Sequence, residues 1–189
     1  KTTPVDVYGY YPGVNYIESP SEYTLEVSHQ QNVLPGEGEM SNYETSDFLW
    51  GKVTHVTPTT ETITITYTHR MAGVLVNLKM GDNFTTTEWE KVKKQLQVDN
   101  TVRTATINLA NGTPKANGSV DKSIQMLEQS GGVYRAIVVP QTVVAGKNLI
   151  TLTIDGRTYT HKLTTDMVYQ SGKLHNFTLT VNKSTGGEG

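Results

Sequence analysis

From Asn148 to Leu163 the chain reads NLITLTIDGRTYTHKL, two alternating runs that meet at Asp155-Gly156. An Asp-Gly pair supplies the two positive-φ positions of a type I′ turn, whose twist matches that of the strands it joins. A two-residue loop fixes the register. Ile154 must face Arg157, Leu152 must face Tyr159 and Ile150 must face His161, with Thr153–Thr158 and Thr151–Thr160 paired on the reverse. Ile150, Leu152, Ile154 and Tyr159 form the predicted core face.

The same period of two recurs along the chain. Ile63, Ile65 and Tyr67 share one face of Glu61–Thr68, which predicts a half-buried strand. Val74, Val76, Leu78 and Met80 predict a second, Ala105, Ile107 and Leu109 a third, and His175, Phe177, Leu179 and Val181 the last. Shorter strands are expected at Val5–Tyr11, Tyr23–Ser28, Phe48–Val56 and Gly132–Val139, the last stopped by Pro140. One segment changes period. Thr87 and Glu90 fit a capping box, and Trp89, Val92 and Leu96 recur at helical spacing, so Glu88–Gln97 is expected to be a short helix. Asn32–Asp47, with Pro35, Gly36 and Gly38, reads as a surface loop, and Ser184–Gly189 as a loose Gly-rich tail.

Frequent threonine in alternation favours pleated backbone, because β-branched side chains lose rotamer freedom in a helix. The expected class is therefore all-β: two small antiparallel β-sandwich domains, residues 1–80 and 81–189, with one short helix. The strand Thr68–Met80 could close the first or open the second. A chain of 189 residues with 35% hydrophobic and 18% charged side chains can bury one core or two small ones. A net charge of −2 with no basic block argues against a nucleic-acid partner. No apolar run is long enough for a membrane helix.

Catalytic and metal chemistry find little to use. There is no cysteine, which removes disulfides, thiolate zinc sites and cysteine nucleophiles together. His29, His55, His69, His161 and His175 fall in separate segments with no HxH or HExxH spacing. No GxSxG elbow and no phosphate-cradling glycine loop is present. The acidic residues Glu37, Glu39, Glu44 and Asp47 lie together in the predicted loop, as a solvated loop requires. No catalytic residue, metal or cofactor is expected. The tyrosines Tyr8, Tyr10, Tyr11 and Tyr16 are the one group suited to a ligand, since exposed rings stack on sugars. Against that stands plain packing, with Tyr8 and Tyr10 on one strand face and Tyr11 at its end before Pro12.

Six strings, VDVYGYYPG (5–13), SDFLWG (46–51), ITYTHRMAGVLVNL (65–78), YRAIVVPQTV (134–143), LITLTIDGRTYTHKL (149–163) and SGKLHNFTLTVNK (171–183), resemble in sequence and order the fimbrillin-like, Mfa-like proteins of Bacteroides and its relatives. That resemblance implies two transthyretin-like sandwiches and a structural, adhesive subunit of a bacterial cell-surface fimbria without enzymatic activity. It implies a lipid anchor at the outer membrane, carried by sequence outside this chain, and assembly with other fimbrial subunits by strand donation. A host or bacterial surface receptor would be the further partner. The alternative is a surface-anchored glycan-binding module using Tyr8, Tyr10 and Tyr11. Relative to the family, a strand ahead of Lys1 and one beyond Lys183 are missing. At least one sandwich should then show an open edge beside apolar side chains, in the part containing Val5–Tyr11.

Overall fold

In the computed structural model, which describes residues 3–13, 17–57 and 61–183, the Asp155-Gly156 turn forms with φ of 50° and 75°. The elements run in chain order β1 (Val5–Tyr11), β2 (Tyr23–Glu26), α1 (Asn42–Thr45), β3 (Leu49–Val56), β4 (Thr68–His69), β5 (Ala72–Met80), α2 (Thr86–Lys91), β6 (Lys94–Val98), β7 (Thr104–Asn108), β8 (Thr113–Ala116), β9 (Ile124–Gln125), β10 (Leu127–Glu128), β11 (Val133–Val138), β12 (Gln141–Val143), β13 (Asn148–Ile154), β14 (Arg157–Lys162), β15 (Met167–Tyr169) and β16 (Leu174–Val181). The tail Ser184–Gly189 and Tyr16 lie outside the described residues.

The strands form sheets in the order β1-β3-β4, β2-β7-β8, β10-β11-β5-β16 and β14-β13-β6-β9, with β12 paired to β15. The first two face one another. The Tyr10 ring sits 5.5 Å from that of Tyr23, and Trp50 Nε1 donates across the gap to the Leu109 carbonyl at 2.8 Å. The third and fourth sheets enclose Val74, Val76, Leu78, Tyr134, Ala136 and Val138 on one side and Leu96, Val98, Ile150, Leu152 and Ile154 on the other, all buried. Buried residues from all four sheets belong to one apolar cluster. Ladders cross the expected division between Met80 and Gly81. β5 lies between β11 and β16, and β2 pairs with β7.

The hairpin has the register read from its turn, Leu152 opposite Tyr159 and Thr151 opposite Thr160. Its faces are less symmetric than the pattern implies. β14 is an edge strand exposed along its whole length, Tyr159 included. Thr151, on the reverse face, is buried with its hydroxyl on Asp99. The wholly antiparallel expectation also needs correction, because β16 runs parallel to β5, pairing Leu174 with Gly73 through Val181 with Met80. A parallel partner needs a long crossover, and residues 81–173 supply it.

Two element assignments are overturned. Glu61–Thr68 is not a half-buried strand. Only Thr68 joins a ladder, opposite Trp50, while Ile63 and Tyr67 are exposed. The segment crosses the outer face of the first sheet where two glycines stand opposite each other, Gly9 and Gly51. A Cβ on Gly51 would lie 2.4 Å from the Thr66 carbonyl oxygen, and one on Gly9 would lie 2.3 Å from the Tyr67 hydroxyl. At Gly51 only bare backbone admits that crossing, while at Gly9 a side chain would push the Tyr67 ring aside. The helix is the second correction. It is capped by Thr85 with Glu88, not Thr87 with Glu90, and ends at Lys91. Val92 turns extended (ψ 132°), and Leu96 enters β6 opposite Leu152. The predicted loop Asn32–Asp47 also carries a second short helix, α1, capped by Ser41 with Glu44.

Candidate functional site

The tyrosines do not form one platform. Side chains alternate along β1, so Tyr8 and Tyr10 point between the first two sheets and Tyr11 points to the opposite face. Tyr8 is 40% exposed. Its ring lies 6.4 Å from that of Trp50, with Lys52 Nζ 4.9 Å above it. Tyr10 packs between Tyr23 and Phe48. With Ile17, Pro20, Leu109 and Ala110, Tyr8 and Tyr10 line a hollow of about 260 Å³ whose walls are nearly all apolar. Among the described residues β1 has β3 as its one ladder partner, so this hollow lies beside an unpaired strand edge.

A second open flank lies between β14 and β16, each the end strand of its sheet. Ile150, Leu152, Tyr159, Leu179 and Val181 line a hollow of about 240 Å³ there. A neighbouring one of about 380 Å³ shares Tyr159 and adds Phe84, Val92 and Ile154 under a rim of Lys91, Arg157 and Lys183. Unpaired backbone beside apolar hollows is the geometry that accepts a further strand: the edge offers hydrogen bonds and the hollow takes alternate side chains. Only the face pattern of β1 and β16 was legible in the sequence, because the opposite walls come from remote segments.

The histidines stay apart, and among the described residues no three His, Asp or Glu side chains converge on a point where a cation could sit. His69 pairs with Asp47 at 2.6 Å. His175 Nε2 accepts from the Gln170 N–H at 3.2 Å, which leaves Nδ1 to donate to the Gly73 carbonyl. His55 takes a left-handed turn position at φ 57° beside the Asp6 carboxylate. These are structural roles.

Charge instead ties segments together. The buried Arg103 side chain meets Asp121 through Nε (3.0 Å) and Nη2 (2.6 Å), and Nη1 contacts Glu26 (2.7 Å) and the Val27 carbonyl (3.0 Å). Its hydrogen bonds, aided by backbone N–H groups, hold the Asp121 carboxyl at about 2. Lys183 likewise bonds Glu88 at 2.7 Å and, with the Thr85 cap, holds that carboxyl at about 2. Both carboxyls lie below their ordinary values of about 4. The stability they contribute is therefore full above that value and is lost as pH falls towards 2. Melting temperature should drop across this window in the native chain and drop less in Asp121→Asn and Glu88→Gln. Identical acid profiles would mean that neither pair stabilises the fold.

The described residues thus form an all-β chain with open sheet edges beside apolar hollows. A family model described as fimbrillin-like matches residues 1–189, and the chain belongs to that family. Membership makes it a non-enzymatic protein of the adhesive, fimbrial type. Among solved structures it is similar to a candidate cell-adhesion protein of Bacteroides uniformis, at 18% identity and TM-score 0.71, covering 96% of this chain and 69% of that one. A candidate cell-adhesion protein of Bacteroides ovatus gives 16% identity and TM-score 0.66, covering 94% of this chain and 62% of that one. A fimbrial protein of Bacteroides ovatus gives 13% and 0.50, covering 94% and 36%. At such identities the likeness establishes the fold. No curated protein matches the chain.

Proposed function

We propose that the chain is a subunit of a bacterial cell-surface fimbria that joins its neighbours by strand addition, with the outer edge of β1 as an acceptor. The observation that carries this is the pairing of that unpartnered edge with the hollow under Tyr8 and Tyr10. An incoming strand would hydrogen-bond to β1 and seat alternate side chains against Tyr10, Leu109 and Pro20, gaining affinity from the backbone and selectivity from the hollow. A contact between unlike surfaces does not close on itself, so it propagates into a fibre. A lipid anchor at the outer membrane and a surface receptor accord with family membership.

Tyr8 and Tyr10 serve this reading as acceptor wall, while their use as a sugar platform with Tyr11 lacks the shared face it needs. The test uses a peptide copying Leu174–Lys183, which carries apolar residues at alternate positions. The melting temperature should rise with peptide concentration as ligand linkage requires, and β1 amides should gain protection from hydrogen exchange. A peptide N-methylated at alternate amides should do neither. Stabilisation by both peptides alike, or none by either, would sink strand addition at β1.

A further inference from the structure

We infer that Asn117 is a site of spontaneous modification, deamidating through a cyclic imide formed with Gly118. The fold shields the identical dipeptide Asn111-Gly112 from the same reaction. The sequence carries Asn-Gly at both places and gives no reason to separate them. Such a pair is the most labile setting for asparagine, because glycine has no Cβ to shield its own amide nitrogen. The structure treats the two differently. Asn111 and Gly112 belong to the turn between β7 and β8. The Gly112 N–H donates to the Asn108 carbonyl at 2.7 Å, and the Asn111 Oδ1 accepts from the Thr113 N–H at 3.0 Å. Gly112 is itself buried against Trp50, where a Cβ would lie 2.5 Å from the indole. Nitrogen and side-chain amide are both committed, and the ring leaves the peptide no room to turn.

Asn117 follows β8 and enters the loop that leads to β9. Both it and Gly118 are exposed, and a Cβ on Gly118, at φ +116°, would meet nothing within 4 Å. Among the described residues nothing accepts from the Gly118 N–H. The Asn117 Nδ2 donates to the Thr106 hydroxyl at 2.9 Å, but that bond is at the surface, where water replaces it at little net cost. The step balances without oxidation. The Gly118 amide nitrogen gives its proton to base in the solvent and attacks the Asn117 Cγ. A C–N bond forms, the Cγ–Nδ2 bond breaks, and Nδ2 takes a proton and leaves as ammonia. Water then opens the imide at either carbonyl. One opening gives aspartate at position 117. The other gives isoaspartate, in which the side-chain Cβ has entered the main chain. Either product exchanges a neutral amide for a carboxylate and adds one negative charge to the formal −2. Isoaspartate also lengthens the span between the Asn117 N–H, held by the Thr104 carbonyl at 2.9 Å, and Asp121, held by Arg103. β8 is the end strand of its sheet, so the charge and the misfit arrive where they hinder pairing with another strand.

This modification does not depend on strand addition at β1. The full chain is incubated in mildly alkaline buffer, folded and in urea, and both dipeptides are followed by peptide mapping, with isoaspartyl methyltransferase labelling to identify the rearranged product. In the folded chain Asn117 should convert, with isoaspartate as the main product. Asn111 should react at least about tenfold more slowly, because its turn must open first. In urea the two rates should converge. The modified chain, separated by anion exchange, should lose hydrogen-exchange protection at the position-117 amide and melt below the native chain. Equal rates in the folded chain, or faster loss at Asn111, overturn the inference. A preference for Asn117 that persists unchanged in urea overturns it as well, since flanking sequence and not the fold would then make the choice. A modified chain that melts and exchanges as the native one does would overturn the misfit at Asp121.

Discussion

Replacing Trp50 by alanine is expected to remove about 3–5 kcal/mol of stability, the upper range for a buried aromatic. Trp50 is only 9% exposed although it stands on the sheet that includes the open edge β1. Its indole N–H reaches the facing sheet at the Leu109 carbonyl. Gly112, at φ +67°, lies over the ring so closely that a Cβ there would come within 2.5 Å of it. The Arg70 guanidinium sits 4.6 Å from the ring centre. Truncation therefore opens a cavity, strands a carbonyl and unseats a cation together. Trp50→Phe separates these terms: it keeps most of the ring and should lose roughly what one stranded carbonyl costs, about 1–3 kcal/mol. Urea denaturation measures both. Because the indole also backs Tyr8, Trp50→Ala should weaken peptide binding at β1. A loss near that of a surface substitution, about 0.5 kcal/mol, would mean that the two sheets are held by something other than this bridge.

What was legible in the sequence was local. Asp155-Gly156 carries its own turn and hence its register, and alternation assigned the inward face of β16 and that of β5 as far as Leu78, Met80 at its end being exposed. What failed was long-range. Ile63, Ile65 and Tyr67 alternate as a strand does, but the space they occupy is set by Gly9 and Gly51, far away in the chain. Thr85–Glu88 and Thr87–Glu90 both satisfy the capping spacing. The choice falls to β13, whose Leu152 takes Leu96 as a ladder partner and so ends the helix before it. The candidate sites divide the same way. That Tyr8 and Tyr10 share a face follows from period two, while Ile17, Pro20 and Leu109 as their neighbours depend on how the sheets stack.

Gln31 shows the same limit most sharply, and it supplies the second large effect. Nothing in the polar stretch Ser28–Asn32 marks it, yet it is fully buried. Its Oε1 accepts from the Ile137 N–H at 2.8 Å, and its Nε2 donates to the Ile137 carbonyl at 2.8 Å and to Ser28 O at 3.2 Å. Ile137 pairs with Gly73 on one side, but β10 has ended before it on the other, so its outward N–H and C=O would face the protein bare. One side-chain amide thus stands in for a residue of a missing strand. Gln31→Leu should cost about 1–3 kcal/mol for each of the two groups it strands, despite adding apolar volume to an apolar surround. Gln31→Glu sharpens the test. At neutral pH a carboxylate can still accept from the N–H, but it opposes the carbonyl and is buried as a charge, so the loss should exceed that of Gln31→Leu. Burial would raise its pKa above the ordinary glutamate value of about 4.3, and the protonated acid can donate to the carbonyl. The Gln31→Glu chain should therefore regain stability relative to Gln31→Leu as pH falls from 7 towards 5. Equal, pH-independent losses in the two variants would show that Gln31 fills space without completing the ladder.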